Sequence, residues 1–314
     1  MAGWGVVQEF FRDVGVRGWV HAQCFDCGAE AGSGADEPVV LASVVKVPLV
    51  LEFARQVAAG QLDPTDRVRA GGTDRLGGVG TAGCHDDVDL SLRDAAFFAL
   101  TLSDNTAADL LFDRVGLDNV RSLVRELGLE STRIVGAPRN TVQSMADDIG
   151  APDAAEFAAR FPALTADEVL GTRALDPHRT TASTPREMTR LLTLIGQDRA
   201  GSAEACRWVR DLMRQQVNWH RLAGAFPPEV QVWAKTGTLP GIRNEIGVLE
   251  YPDGTRYAVS VFTRAGTIAQ RLPEVDRAIG AVAAHAVGSI VHDCASPVPG
   301  TAAGDGVPPL RLAR

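Results

Sequence analysis

Runs of alternating apolar and polar residues, the pattern typical of β-strands, lie near both ends of this chain. They cover residues 18–25, 38–42, 230–235, 244–251 and 255–263. The long stretch between them has mostly helical spacing. Strands at both ends with helices between them are explained if the two chain ends meet in one sheet. The sequence therefore predicts an α/β fold of the α+β three-layer type, in which an antiparallel sheet built from both chain ends is flanked by helices and an all-helical lobe is inserted midway.

Helical patterns fill much of the remaining sequence. They cover residues 6–14, 43–60, 91–101, 105–114, 118–127, 203–216 and 272–290, with another helix starting at residue 184. Thr184 as N-cap, Pro185 at the first helical position and Glu187 at the third make a favourable start. Ser91 is a second predicted N-cap. Glycine-rich residues predict a turn over 28–34 and a loop-rich region over 61–90, and prolines divide residues 136–184 into short helical pieces.

The chain of 314 residues is long enough to bury a substantial core, and we expect one folded unit over residues 1–295. The part that contains the sheet is predicted to cover about residues 1–45 and 200–295, and the helical lobe about residues 46–199. The tail, residues 296–314, is rich in Pro, Gly and Ala and is expected to be disordered.

The charge balance argues against nucleic acids and membranes as partners. The formal net charge is −8, the pI is near 5.3 and no dense basic run occurs. No stretch approaches the roughly 20 apolar residues of a membrane-spanning helix. The first residues also lack the basic and apolar regions of a signal peptide. We therefore expect a cytoplasmic monomer, although an exported chain whose leader had been removed would look the same.

The cysteines do not predict a metal or redox site. Cys24 and Cys27 have C-x-x-C spacing, but they fall in a strand-like run, where a separation of three places two side chains on opposite faces. No second pair of Cys or His residues completes a metal site. We expect no metal ion and no cofactor.

Lysine occurs at only two positions. Of the 31 Lys and Arg residues, 29 are Arg, and the lysines are Lys46 and Lys235. Lys can lose its proton in a buried or charge-crowded site, whereas Arg effectively cannot. Lys46 follows Ser43 by three residues at the start of an apolar helix, so one helical turn brings its amine close to the serine hydroxyl. An amine in that position can activate the hydroxyl as a nucleophile.

Two further motifs carry suitable chemistry. Ser103-Asp104-Asn105 supplies a hydroxyl and an amide at the start of another helix. Lys235-Thr236-Gly237 ends a strand and supplies a cation and a hydroxyl, and Gly237 would let a substrate approach the backbone closely. Each motif alone is weak, but the three occur in order, and both lysines of the chain occupy motif positions.

With these motifs the sequence resembles the serine-reactive penicillin-recognising enzymes, and among them the class A β-lactamases, which carry S-x-x-K, S-D-N and K-T-G. The resemblance extends over roughly residues 4–290. It implies that Ser43 is the acylated nucleophile and that Lys46 is its activating base. It also implies that Ser103 relays a proton to the leaving nitrogen and that Asn105 contacts the substrate side chain.

The resemblance also implies how substrate is held. Lys235 and Thr236, helped by Arg243, would bind the substrate carboxylate. The oxyanion hole would be formed by the backbone N–H groups of Ser43 and Thr238.

One family feature has no match here. Class A enzymes deacylate with the Glu of an E-x-x-L-N segment, and this segment does not occur in the chain. Counting back from Pro185 places Glu168 at the position of that base, but without the following Leu and Asn. Counting forward from Thr132 places Pro138 there instead. Glu168 is thus either the hydrolytic base or an ordinary surface carboxylate. Without such a base, rapid turnover of a β-lactam is not expected.

We therefore expect a serine hydrolase that resembles class A β-lactamases and hydrolyses the amide of a small-molecule β-lactam through an acyl-enzyme on Ser43. One alternative keeps the fold but changes the acyl donor, giving a peptidase, esterase, amidase or acyltransferase of specialised metabolism with weak β-lactam turnover. The other is a non-catalytic ligand-binding relative. The intact Ser43, Lys46, Ser103 and Lys235 argue against that last alternative.

Overall fold

The computed structural model describes residues 4–75 and 78–294, which contain nine strands and eleven α-helices. The strands are β1 (Val16–Cys24), β2 (Glu30–Ser33), β3 (Val39–Val40), β4 (Arg67–Ala70), β5 (Val88–Ser91), β6 (Ala182–Ser183), β7 (Gln231–Leu239), β8 (Ile242–Glu250) and β9 (Arg256–Ala265). The helices are α1 (Trp4–Asp13), α2 (Lys46–Ala58), α3 (Leu92–Thr101), α4 (Asn105–Val115), α5 (Leu117–Glu126), α6 (Pro138–Asp148), α7 (Ala154–Arg160), α8 (Ala166–Leu170), α9 (Pro185–Gly196), α10 (Ala203–Met213) and α11 (Pro273–Cys294).

Five strands form one antiparallel sheet in the order β2-β1-β9-β8-β7. The two chain ends meet in its middle, where β1 pairs with β9 and Trp19 lies opposite Phe262. The hairpin of β8 and β9 and its pairing with β7 complete the C-terminal side. The predicted antiparallel sheet built from both chain ends is confirmed.

One face of this sheet is covered by α1 and α11. Val7 and Phe11 of α1 and Ile279 of α11 are fully buried, in a core that they share with Val20 of β1. Gly18 has no side chain, and this leaves room for the Phe11 ring against the strand. Complete burial of each such side chain stabilises the fold by about 1.5–3 kcal/mol.

The opposite face is covered by α9, which packs on β1 and β9, and by helices of the inserted region. Residues on this face of the strands, such as Trp19, Trp233 and Phe262, share a core with Leu49 of α2 and Leu192 of α9. Successive side chains of a strand point to opposite faces, so one sheet supplies both cores. The sheet and the helices on its two faces therefore form the three layers of the predicted fold. Helix α9 lies within the boundaries predicted for the lobe but packs on the sheet.

Two helix starts form as the sequence predicts. The Ser91 hydroxyl accepts a hydrogen bond from the Asp94 backbone N–H at 3.2 Å and caps α3. The Thr184 hydroxyl accepts one from the Glu187 backbone N–H at 3.2 Å and caps α9, which begins at Pro185. These side chains satisfy N–H groups that have no partner within the helix.

Several short strands were not predicted. Strand β2 lies inside the predicted turn over residues 28–34, because it extends the sheet beside β1. Strands β4 and β5 pair with each other inside the predicted loop-rich region, and β6, which was not predicted, pairs with β3, which lies in the predicted run 38–42. The inserted lobe is therefore mainly helical, and it also contains the short strands β4, β5 and β6. Strands of two to four residues are too short to produce a periodic signal.

One helix start differs in detail from its prediction, and the proline-rich stretch agrees with its prediction. The helix predicted from residue 43 begins as a 3₁₀ turn, Ala42–Val45, and α2 follows from Lys46. Residues 136–184 contain α6, α7 and α8, as the prolines suggested. The predicted tail, residues 296–314, lies outside the described residues. Among the helices of the described part of the chain, none combines the length and the apolar character that crossing a membrane needs.

Candidate active site

Ser43 lies in the 3₁₀ turn that leads into α2 and is partly exposed. Two contacts fix the chain just before it: the Leu41 N–H donates to the Thr181 carbonyl at 3.1 Å, and the buried Asn244 amide donates to the Val40 carbonyl at 2.8 Å. Ala42 has a φ of 49°, a left-handed conformation that costs a non-glycine residue about 1–3 kcal/mol. The fold therefore holds a strained turn that presents the serine hydroxyl.

Lys46 is completely buried, and its amine lies at the centre of the site. The Nζ atom is 3.1 Å from Ser43 Oγ, 2.6 Å from the Ser103 carbonyl oxygen and 2.7 Å from Asn105 Oδ1. It is also 3.5 Å from Ser103 Oγ. The sequence motifs S-x-x-K and S-D-N therefore meet at this one nitrogen.

Burial lowers the pKa of Lys46 to about 7, although the nearby carboxylates of Asp104 and Asp109 act in the opposite direction. A neutral amine has two N–H donors and one lone pair. The Ser103 carbonyl and the Asn105 side-chain oxygen are both acceptors, so they can take the two donors. The lone pair is then left for the Ser43 hydroxyl, which is the arrangement of a general base.

The turn that carries Ser103 is held by its neighbour Asp104. Asp104 caps α4 by accepting the Ala107 N–H at 3.1 Å, and it also accepts the N–H and hydroxyl of Thr81 at 2.6 and 2.8 Å. Ser103 itself has a φ of 62°, again left-handed for a non-glycine residue. The buried carboxylate thus supports a second strained residue beside the Lys46 amine.

The K-T-G motif lies on β7, next to the turn that carries the serine. A Cβ on Gly237 would lie 2.6 Å from the Leu41 carbonyl oxygen. The close approach that requires glycine is thus between two segments of the protein, rather than with substrate as the sequence suggested. Lys235 is buried and donates to the Thr236 carbonyl at 3.0 Å. Burial, with Lys46 and Arg221 nearby, holds the pKa of Lys235 well below its usual range.

A buried arginine that the sequence analysis missed lies behind this strand. Arg221 is 1% exposed, and its Nη2 donates to Thr238 Oγ1 at 3.0 Å while its Nε pairs with Asp276 at 2.7 Å. The predicted Arg243 instead contacts Asp276 and the Gln270 carbonyl. Arg221 lies in an irregular segment before β7 and belongs to no short motif, so no sequence pattern pointed to it.

A cleft of about 60 Å³ lies over Ser43. It is lined by Val40, Ala42, Ser43, Val45, Asn105, Gly136, Pro138, Thr141, Val142, Thr180, Thr181, Thr238 and Leu239. Ser43 and Thr238, whose backbone N–H groups are predicted to form the oxyanion hole, both face this cleft. Among the described residues that line it, none is a carboxylate.

Pro138, not Glu168, belongs to the cleft wall. Glu168 caps α8, where its carboxylate accepts hydrogen bonds from the Thr165 N–H at 2.8 Å and hydroxyl at 2.7 Å. These bonds lower the pKa of the exposed Glu168, whereas burial in a site would raise it. The role of hydrolytic base for Glu168 stays a prediction that this placement does not favour. The position of Pro138 agrees with the forward count from Thr132.

The site thus brings together Ser43, Lys46, Ser103, Asn105, Lys235, Thr236, Gly237 and Thr238. Within residues 4–75 and 78–294, no group of three or more His, Cys, Asp or Glu side chains is arranged to hold a metal ion. A serine hydroxyl, an amine of lowered pKa and a second buried lysine are groups that can perform acyl transfer.

The fold and this site are those of the class A β-lactamase-like serine hydrolases. The chain belongs to the Beta-lactamase enzyme family (Beta-lactamase2), whose family model matches residues 6–290.

Three proteins illustrate what this chain is similar to. The Beta-lactamase regulatory protein BlaB of Streptomyces cacaoi is 28% identical over 271 residues, which cover 82% of this chain and 87% of BlaB. The crystal structure of a β-lactamase from Sphaerobacter thermophilus DSM 20745 is 25% identical and has a TM-score of 0.73, with 94% of this chain and 99% of that one covered. A mutant of PBP-A, solved as an acyl-enzyme complex with penicillin-G, is 20% identical and has a TM-score of 0.70, with 91% and 97% covered.

Proposed function

We propose that this protein is acylated on Ser43 by β-lactams, and that it releases the acyl group slowly. The observation that carries the proposal is the position of the buried Lys46 amine, 3.1 Å from the serine hydroxyl, with a pKa lowered to about 7. An amine with this pKa is about half neutral at pH 7 and can accept the serine proton.

In the acylation step the Ser43 oxygen attacks the carbonyl carbon of the lactam amide, and its proton passes to Lys46. The developing oxyanion lies between the backbone N–H groups of Ser43 and Thr238. The C–N bond then breaks, Ser103 delivers its hydroxyl proton to the departing nitrogen, and Lys46, 3.5 Å from Ser103 Oγ, passes on to Ser103 the proton that it took from Ser43. Lys235, Thr236 and the Arg221–Thr238 pair hold the substrate carboxylate.

We infer that the second step, hydrolysis of the acyl-enzyme, is slow from the residues that line the cleft. Hydrolysis of the acyl-enzyme needs a water molecule activated by a base, and in the described part of the chain the lining residues include no carboxylate. Pro138 has neither a donor nor an acceptor on its side chain. A long-lived acyl-enzyme would suit a protein that senses or captures β-lactams, and BlaB is named a regulatory protein.

An esterase, peptidase, amidase or acyltransferase activity is the second candidate. Among these, the same cleft wall favours the acyltransferase, because an acyl group that water does not remove can be transferred to an alcohol or an amine. The small cleft and the Lys46–Ser43 pair suit any activated acyl donor of modest size.

Intact-mass measurement after incubation with a fluorescent penicillin tests the proposal. We expect one adduct that forms within minutes and persists for hours. Ser43→Ala should form none, and Lys46→Arg should slow acylation by roughly 10²–10⁴-fold, because Arg keeps the charge but cannot accept a proton. Rapid turnover of the β-lactam would contradict the proposed slow release of the acyl group. A folded chain that forms no adduct with β-lactams, esters or D-Ala-D-Ala peptides would support the non-catalytic alternative.

A further inference from the structure

A second cavity, of about 220 Å³, lies beside the cleft over Ser43. It is lined by residues of β1, β8 and β9, by β3 with the two residues before it, and by Pro177 and His178. Among the described residues that line the cavity and the cleft, Val40 is the only one that they share. The cavity is therefore separate from the cleft, and the acylation of Ser43 makes no use of it.

The cavity has an aromatic wall. Trp19 and Phe262, which both line it, are direct partners on β1 and β9 and are 9% and 1% exposed. The polar atoms of Asn244 already have partners in the protein, because its nitrogen donates to the Val40 carbonyl and its oxygen accepts the Thr263 N–H. An apolar cavity of about 150 Å³ can hold a benzene ring. The larger volume here therefore suits one aromatic ring that carries a short chain.

Two arginines face each other across the strands at this cavity. Arg17 of β1 and Arg264 of β9 are direct partners in the register of the sheet, and both line the cavity. Like charges directly opposite each other on neighbouring strands destabilise a sheet. Glu37 offsets the charge of Arg17, from which it lies 2.5 Å away. Arg264 donates to the Leu170 carbonyl at 3.2 Å, and no carboxylate of the described residues lies within ion-pair distance of its guanidinium.

The charges around the cavity favour an anionic ligand. The two arginines and Glu37 leave one net positive charge in the lining, and protonation of His178 would add to it. A guanidinium has five N–H donors, so Arg264 can bind a carboxylate while it keeps its bond to the carbonyl. Arg17 also lies over the Trp19 ring, 4.8 Å from the ring centroid. The cationic and the aromatic parts of the lining are thus adjacent.

We propose that this cavity binds a small carboxylate that carries one aromatic ring. The ring packs against Trp19 and Phe262, and the carboxylate lies beside Arg17 and Arg264, where its charge offsets the repulsion between them. The site binds its ligand without a covalent step, and it goes beyond the proposed function. It is also distinct from the place proposed for the substrate carboxylate, which lies at Thr238 in the cleft.

Titration with 3-phenylpropanoate tests the proposal, with the indole N–H signals of the tryptophans followed by proton–nitrogen correlation NMR. Trp19 reports on the cavity. Trp219 reports on the cleft, because it lies two residues before Arg221, which donates to the cleft residue Thr238. Trp19→Phe and Trp219→Phe assign the two signals. We expect the Trp19 signal to shift until it saturates and the Trp219 signal to stay in place.

The charge of the ligand is tested with 3-phenylpropanamide, which has the same shape and is neutral. It should bind at least about tenfold more weakly, because hydrogen bonds between charged groups are roughly twice as strong as those between neutral groups. Arg264→Met should weaken binding of 3-phenylpropanoate by a similar factor. Arg264→Lys, which keeps the charge but loses the planar donor group, should weaken binding less.

Glu37→Gln should strengthen binding of 3-phenylpropanoate, by about threefold, because it removes a negative charge beside the site. The glutamine keeps an oxygen for the Trp19 indole N–H, which donates to Glu37 at 2.9 Å. Arg12→Met is the matched control for Arg264→Met. It removes the same charge from an exposed position on α1, across the sheet from the cavity, and should leave binding unchanged. Thermal unfolding shows whether each variant is folded.

A shift of the Trp219 signal without one of Trp19 would place the carboxylate in the cleft and overturn the proposal. Equal binding of the acid and the amide, or unchanged binding in a folded Arg264→Met, would overturn it too. The titration needs no reaction at Ser43, so this site and the proposed function fail separately. A protein whose Trp19 signal responds but which forms no acyl adduct would keep the site and lose the proposed function.

Discussion

Arg221 is fixed between Asp276, which its Nε contacts at 2.7 Å, and Thr238, whose hydroxyl its Nη2 contacts at 3.0 Å. The guanidinium is almost completely buried, and its charge is offset on the side away from the cleft. It therefore lies directly behind Thr238, with its free side toward the cleft wall closed by that hydroxyl. In the proposed function this pair, and not the predicted Arg243, holds the substrate carboxylate.

Arg221→Lys should lower the acylation rate with a β-lactam that carries a carboxylate by roughly 10–100-fold, because hydrogen bonds to charged groups contribute about 1.5–3 kcal/mol. The effect should be smaller with a neutral ester. Stopped-flow acylation measures both. Arg243→Lys is the matched control, and an equal loss in both variants would contradict the assignment; thermal unfolding shows whether each variant is folded.

The acylation rate should rise with pH through the pKa of Lys46. The base is active when deprotonated, so below about pH 7 the rate should increase tenfold per pH unit and then level off. Asp109→Asn should move the midpoint to lower pH, because the carboxylate raises the pKa of Lys46. A flat profile between pH 5 and 8 would show that Lys46 is not the base.

The free energy of unfolding should also depend on pH through Lys46. Burial depresses the pKa of Lys46 to about 7, whereas the unfolded chain keeps the usual value of 10.5. Between these values the unfolded state binds more protons, so the free energy of unfolding gains a contribution from Lys46 that increases with pH over this range. Denaturant titrations at pH 7 and 9 should show a smaller increase in Lys46→Met than in the wild type; an equal increase would contradict the lowered pKa.

The sequence predicted the sheet and the three motifs because both rest on local signals. Alternating residues identified the strands, and the rarity of lysine singled out Lys46 and Lys235. Arg221 could not be predicted, because its role arises from contacts with a distant helix and a neighbouring strand. The position of the deacylating base was ambiguous because the count back from Pro185 and the count forward from Thr132 reached different residues, and only the wall of the cleft distinguishes Pro138 from Glu168.

Gly237→Ala should damage the site without touching a catalytic side chain. The added Cβ would lie 2.6 Å from the Leu41 carbonyl oxygen, so the segment before Ser43 must move. We expect a loss of about 1–3 kcal/mol in the free energy of unfolding and a lower acylation rate. Gly288→Ala on α11, where nothing lies within 4 Å of the added Cβ, should instead stabilise the protein by about 0.5–1 kcal/mol. Wild-type acylation by Gly237→Ala would contradict this packing argument.

Pro138→Glu should convert slow release of the acyl group into turnover. Pro138 lines the cleft at the first position of α6, where a glutamate is compatible with the helix dipole and its carboxylate can face a water beside the acyl-enzyme. A positioned base contributes about 10²–10⁴-fold to proton transfer, and we expect at least a tenfold faster loss of the adduct by intact mass. Pro138→Ala controls for removal of the proline ring.

Glu168→Ala should leave the release rate unchanged, because the Glu168 carboxylate already accepts hydrogen bonds from Thr165. If Glu168→Ala abolishes release while Pro138→Glu has no effect, the backward count was correct and the α8 carboxylate must reach the site in solution.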